Sequence, residues 1–382
     1  MIYLDHAAAT PVDPKVFEAM EPYFLHDFFN PSAAYLPAKK VAADYEAAKA
    51  TIAHAIGAKS HDLIITAGAT EANNLALSSV LRSGTTPPIL YLSTEHDSVR
   101  RVAEHFGGEA VRVDKNGRVD MADLRAKITD STELISVALV NGEIGVIQPL
   151  AEIAALIREI RYDRLRRGIR TQLLLHSDAS QALNLLDINV ARLGVDLLTI
   201  NSAKVYGPKG VGALYVSHEA KLRPQILGGG QENGLRSGTE NVPGVIGFAK
   251  AVELTKAHLT SNRKKYAELK SQLLANLQGY ELIVSKHQLD NFVNLCYNGI
   301  DGERLVFLLE EKAVYVATGA ACAASKGEKS HVLKALGLND AQIAGSLRLT
   351  LGATNTKEQI ITAAQVINEV VSTEYERERR CK

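Results

Sequence analysis

The chain has 382 residues, 46% of them hydrophobic, enough to bury a large core and to predict more than one domain. Lysine plus arginine (43) balance aspartate plus glutamate (43), so the totals hold no basic footprint for direct nucleic-acid binding. No apolar run approaches the ~20 residues of a membrane span, and the start, MIYLDHAAATPVDP, lacks the basic region and apolar core of a signal peptide.

In chain order, short apolar runs alternate with helical stretches. Residues 62–66 (DLIIT) lead through a turn at Gly68 into 67–81, where Ala72, Leu75, Leu77 and Leu81 repeat at helical spacing. Further runs follow at 88–93 (PILYLS), 134–140 (LISVALV), 172–176 (QLLLH), 195–200 (VDLLTI) and 211–216 (VGALYV), with a helical stretch at 149–167. Runs that are apolar on both faces belong to strands covered on both sides, so the alternation predicts an α/β fold built on a mostly parallel sheet. After about residue 255 the character changes. A charged amphipathic helix at 256–277 has Tyr266, Leu269, Leu273 and Leu277 along one face. It precedes FVNLCY, a helix near 302–312, VYVA, SLRLTL and a last charged helix near 357–378. This second part reads as a smaller α+β domain. The expected division is 15–255 for the large domain, with 1–14 and 256–382 forming the small one.

Polar residues follow five of the predicted strands. They are Gly68, Ala69 and Thr70; Thr94, Glu95 and His96; Asn141 and Glu143; Asp178 and Gln181; and Asn201, Ser202 and Lys204. Ligands of open parallel sheets bind beyond the carboxyl ends of the strands. Taken singly, each residue has an ordinary explanation: a strand-to-helix turn, a structural histidine, a helix cap, a solvated lysine. Together they supply a helix N-terminus for a phosphate, a lysine for a Schiff base and a carboxylate for a pyridinium nitrogen. Those are the needs of pyridoxal 5′-phosphate.

Three cysteines, Cys296, Cys322 and Cys381, show no CxxC spacing, which argues against a disulfide framework or a metal site and for a reducing cytoplasm. Cys322 lies in ATGAACAASKGEKS, a segment with little to pack, and is expected in a mobile loop at about 319–330. Cys296 falls in an apolar run and is expected to be buried. Cys381 falls in a charged tail.

The ordered motifs YLDHAAATPVDP, AGATEANNLAL, STEHDSV, VNGEIGVIQP, HSDASQA, KVYGPKGVGALY, GGGQENGLRSGTENVPG, ATGAACAAS and SLRLTLG resemble those of the cysteine desulfurases of the NifS/IscS type nearly end to end. The resemblance implies a type I fold of pyridoxal-phosphate-dependent enzymes, in its class V branch. It implies cysteine as substrate, alanine as product and a persulfide on the nucleophile Cys322 that passes to an iron–sulfur scaffold or a tRNA-thiolation enzyme. Lys204 matches the lysine that carries the cofactor, Asp178 the partner of the ring nitrogen, Gln181 the contact to the ring hydroxyl and His96 the histidine stacked on the ring. Thr70 and the backbone around Ala69 match the phosphate cup, to which Asn201 and Ser202 add. Asn141 and Arg348 match the holders of the substrate carboxylate. Thr239 matches a threonine that reaches the neighbouring subunit's phosphate, which implies a homodimer.

The pattern departs from the family in three places. Asn201-Ser202-Ala203-Lys204 stands where Ser-(Gly/Ala)-His-Lys is usual, Gly142 replaces a second asparagine, and the chain ends at Arg380-Cys381-Lys382 where IscS-type members continue into a scaffold-docking tail. The rival readings are a selenocysteine lyase or aminotransferase of the same fold, or a weakened cofactor-binding scaffold.

Overall fold

In the computed structural model, residues 1–79, 89–319 and 329–380 are described. Twelve strands occur among these residues: β1 (Ile2–Tyr3), β2 (Leu63–Thr66), β3 (Ile89–Leu92), β4 (Glu109–Val111), β5 (Leu134–Ser136), β6 (Leu174–Asp178), β7 (Leu197–Asn201), β8 (Gly212–Val216), β9 (Glu281–Leu282), β10 (Phe292–Cys296), β11 (Val314–Tyr315) and β12 (Ser346–Thr350).

Seven of them form the expected mostly parallel sheet, in the order β2-β8-β7-β6-β5-β3-β4. Only β8 runs against its neighbours, β2 and β7. The apolar runs have the composition of doubly covered strands because side chains alternate between two helical layers. Leu63, Ile65, Leu90, Leu92, Leu198 and Ile200 join one core, which also holds residues of the Leu36–Ala55, Leu150–Arg166 and Val242–Asn276 helices. Ile64, Ile89, Tyr91, Leu197 and Leu214 face the opposite way, onto the Ala69–Ser79 and Asp97–His105 helices.

The 134–140 run is a regular strand only to Ser136. Beyond it Val137 and Leu139 still donate to the carbonyls of His176 and Asp178, but the chain bends away and carries Asn141 over the sheet rim. The helix predicted at 256–277 is the second half of a 35-residue helix, Val242–Asn276, which crosses the expected boundary at 255. Its first half buries Val242, Val245, Phe248, Val252 and Thr255 among others; its second half buries Tyr266, Leu269 and Leu273. A smaller antiparallel sheet, β12-β10-β9, and the parallel pair β1-β11 complete the fold. The N-terminal segment sits among C-terminal elements, since Leu4 donates to the Tyr315 carbonyl and Thr350 donates to the Leu4 carbonyl. Among the described residues no helix is long and apolar enough to cross a membrane.

Candidate active site

The carboxyl ends of β2, β3, β5, β6 and β7 open on one cavity of about 1170 Å³. All five polar groups expected at the rim reach its wall, through Thr70, His96, Asn141, Asp178 and Lys204 among others. At the end of β2 the chain turns at Gly68, whose φ of +144° suits glycine alone, and enters the Ala69–Ser79 helix. Gly212 of β8 backs this turn so closely that a Cβ there would fall 2.9 Å from the Gly68 Cα. The first-turn N–H groups of the helix, which have no intrahelical partner by geometry, thus meet the cavity at Gly68, Ala69 and Thr70.

The floor is built at the ends of β6 and β7. Asp178 is the last residue of β6 and is 9% exposed. Asn73 donates to its Oδ2 at 2.8 Å, and the Ser180 amide donates to Oδ1 at 2.9 Å. Below it, His176 bridges Ser136 and Thr199, and burial holds its imidazole down at about 4 against the pull of the Asp178 charge. Lys204 follows β7 through a single 3₁₀ turn, and its Nζ donates to the carbonyls of Ala7 and Ala8 at 2.7 and 2.6 Å. Gln181 donates to the same Ala7 carbonyl at 2.9 Å. His96 caps the Asp97–His105 helix: its Nδ1 accepts from the Ser98 amide at 3.1 Å, which leaves Nε2 as the protonated nitrogen on the cavity wall. Beside it Glu95 is buried, accepts from the Ala138 amide and keeps an unpaired Oε2. Burial, aided by the Asp178 charge, pushes its carboxyl well above the usual carboxylate range.

The outer wall draws on distant parts of the chain. Arg348, on β12, pairs with Asp5 at 2.6 Å and donates to the Gly142 carbonyl at 3.2 Å, while its buried Nε has no partner. Asn141 is largely committed. Its Oδ1 accepts from the Glu143 and Ile144 amides and its Nδ2 donates to the Thr94 carbonyl at 2.6 Å, so one N–H remains for a ligand. Glu143, 5% exposed, is pushed up to about 7 by burial, against the hydrogen bond from Ser330 and the Arg348 charge.

One expected contact, Ser202, lies elsewhere, and Thr239 is expected at the neighbouring subunit's phosphate. Ser202 is fully buried behind the wall, its Oγ turned to Gly207, where a Cβ would meet it at 2.1 Å. Thr239 is exposed and does not line this cavity. Asn201 does line it, and its Oδ1 accepts from the Ala203 amide at 3.3 Å. Cys322 and Cys381, with most of the expected 319–330 loop, lie outside the described residues. Cys296 is 2% exposed and burial raises its thiol. Among the described residues no group of three histidine, cysteine, aspartate or glutamate side chains could hold a metal. Sequence reasoning missed Asp5, Ser180 and His331 on or beside the wall. Asp5 had a signal, its place in the YLDHAAATP motif.

Comparisons with known proteins agree along most of the chain. The family described as class-V aminotransferase matches residues 2–362. Cysteine desulfurase IscS 1 of Archaeoglobus fulgidus is 38% identical over 384 residues, covering 97% of each chain. Among solved structures, a NifS-like protein superposes with a TM-score of 0.90 at 29% identity, covering 97% of this chain and 99% of that one. A structure titled SspA in complex with cysteine superposes with a TM-score of 0.79 at 29% identity, covering 92% and 99%.

Proposed function

The chain belongs to the class-V aminotransferase family, and on that premise we propose that it is a cysteine desulfurase, moving sulfur from L-cysteine to Cys322 and releasing L-alanine. The observation that carries this reading is a convergence. Lys204, Asp178, His96 and a helix N-terminus meet at one cavity, and Lys329, which closes the segment bearing Cys322, lines the same cavity.

Class-V aminotransferases and cysteine desulfurases depend on pyridoxal 5′-phosphate, and the donors present fit it. A paired, buried Asp178 suits a protonated ring nitrogen, the Gly68–Thr70 turn suits a phosphate, and Ser180 contributes a buried, unpartnered Oγ on the wall. When bound, the cofactor draws electrons from the substrate's α-carbon. Lys204 would hold the cofactor, and its amine, once released by the substrate, would take the proton from that carbon. His96 presents Nε2–H to the same space and moves a proton there. Arg348 and the spare N–H of Asn141 orient the substrate carboxylate, with Asp5 yielding part of its claim on Arg348.

Cys322 attacks as a thiolate. A sulfur–sulfur bond forms as the substrate's Cβ–S bond breaks, the bonding pair stays on Cβ and takes up a proton, and alanine leaves. The balance needs no outside oxidant or reductant. Sulfur on Cys322 then passes to an acceptor protein, an iron–sulfur scaffold or a tRNA-thiolation enzyme, in the cytoplasm.

The protein works in this reading as a homodimer in which Thr239 completes the partner's phosphate site. Thr239 is exposed away from its own cavity. Phe17, Phe24, Leu25, Phe28, Leu36 and Leu227 are also large apolar side chains left exposed. An active monomer in light scattering would rule the dimer out.

The test of the activity is Cys322→Ala. The variant is expected to bind cysteine and make essentially no alanine. The wild type, given cysteine without reductant, gains one sulfur mass on the Cys322 peptide and not on that of Cys296. Alanine production at the wild-type rate by the variant would refute the persulfide route.

A further inference from the structure

The segment that carries Cys322 leaves the described structure at Gly319 and returns at Lys329 and Ser330. Both ends bear on one buried side chain. Ser330 donates its Oγ to Glu143 Oε1, while Gly319 packs so tightly on the same oxygen that a Cβ at 319 would fall 2.2 Å from it. Glu143 itself is fixed from three directions. Its amide donates to Asn141 Oδ1 at 2.8 Å, its carbonyl accepts from Asn294 at 2.9 Å, and its carboxyl feels the Arg348 charge. Ser330 then caps the His331–Ala335 helix by accepting from the Leu333 amide at 3.1 Å, and Val332 and Leu333 bury against Ile144 and Val146, the residues just after Glu143.

We propose that Glu143 is a positioning residue for sulfur transfer, a carboxyl clasp that seats both ends of the Cys322 segment beside the group that holds the substrate carboxylate. The proposal rests on the desulfurase reading above, with Cys322 as the nucleophile. Its physical content is leverage. Cys322 follows Gly319 by three residues, and three residues in any conformation reach at most ~11 Å, so its range is set by where Gly319 sits. Nothing in the cofactor's attachment to Lys204 or in the Asp178 pairing requires Glu143. Neither the Ser330 hydroxyl nor the absence of a side chain at 319 is needed to bind cysteine. What the three residues share is the place where the nucleophile's segment begins and ends.

The experiment compares Glu143→Ala, Glu143→Gln, Ser330→Ala and Gly319→Ala in the cofactor-loaded enzyme. It measures alanine formation and the rate at which the Cys322 peptide gains sulfur. For Glu143→Ala, kcat is expected to fall roughly 100-fold, as a displacement of about 1 Å at a reacting group produces, with KM for cysteine within about threefold of wild type. Glu143→Gln, which keeps an acceptor for the Ser330 hydroxyl, is expected to recover most of the loss, whereas Gly319→Ala, which drives a methyl into the carboxyl, is expected to share it. Should Glu143→Ala fail to fold, Ser330→Ala and Gly319→Ala test the clasp from its other side. A kcat within about twofold of wild type in these variants, or a KM that rises as much as kcat falls, overturns the proposal. If Cys322→Ala still makes alanine, the underlying reading fails. If Cys322→Ala makes none while the clasp variants keep their kcat, this proposal alone fails.

Discussion

The floor and the outer wall of the cavity are built by opposite means. The floor is local. Asp178 and Lys204 stand at the ends of neighbouring strands, β6 and β7, and Asp178 is satisfied by the Asn73 side chain and the Ser180 amide. The wall joins β12 of the smaller sheet to the segments around Asp5, Glu143 and Ser330. Arg348 finds Asp5 across almost the whole chain, and Glu143 meets Ser330 across 187 positions. The floor also holds its carboxylate with neutral donors. The wall instead sets Asp5, Arg348 and Glu143 near one another in a poorly hydrated place, where one carboxyl is driven toward neutrality. A surface that holds its charge fixed suits a permanent cofactor. One whose charges are partly unmet suits a ligand that comes and goes.

The largest expected effect removes the floor's reactive group. Lys204→Ala is expected to keep the fold, because the lysine lies in a single 3₁₀ turn and its Nζ donates to the backbone carbonyls of Ala7 and Ala8. Alanine formation is expected to fall by at least ~1000-fold, within the range for loss of a covalent catalyst. Absorbance and borohydride treatment read the result: wild type retains the cofactor on the peptide containing Lys204 and the variant does not. An unchanged labelled peptide would move the reactive centre off the floor.

The sequence made the floor readable because each of its groups follows an apolar strand within a few residues, and a parallel sheet delivers strand ends to one rim. The same logic recovered the six central apolar runs as strands. It missed β1, β4 and β9, which are short or lie at an edge and have no apolar run of their own. It also missed Asp5, whose function depends on β1 lying beside β11 and so on contacts no local pattern announces. Ser202 is expected to help bind the cofactor by compensating for the family serine that Asn201 replaces. The 3₁₀ turn swings it under Gly207 instead, and a one-residue offset in such a turn reverses which side chain faces the cavity. Glu143 stood out as a rim residue, but its contacts with Gly319 and Ser330 cannot be read from spacing.

A smaller effect sharpens the electrostatic half of the comparison. Glu143 has its carboxyl pushed up to about 7 from an ordinary 4.5. Between those values the folded protein keeps a proton that the unfolded chain has released, so stability falls as pH rises through the window and levels off above the folded value. Burial near the Arg348 charge and the Ser330 hydroxyl sets the size, about 3 kcal/mol across the window. Glu143→Gln lacks this term. The stability of the variant minus that of wild type, from urea unfolding, is expected to grow from pH 4.5 to 7 and then stay flat. A difference independent of pH would mean that the fold does not shift the Glu143 carboxyl.

The smallest effect lies at the seam, where Gly142 stands in place of the family's second asparagine. Its carbonyl accepts from Arg348, and its missing side chain borders the cavity next to Gln181. A Cβ built there meets only Gln181 Cγ and Nε2, both at 3.6 Å, which is ordinary contact. The seam therefore has room for a β-carbon at position 142. Gly142→Asn is expected to fold with a gain of about 0.5 kcal/mol, since the unfolded chain loses freedom that glycine had. The new amide would lie between Gln181, on the floor, and Arg348, on the wall, without removing a contact of either. KM for cysteine is accordingly expected to move by no more than about threefold, less than one good hydrogen bond is worth. A tenfold or larger change in KM would show that the carboxylate site extends across the seam, and that floor and wall read the substrate together.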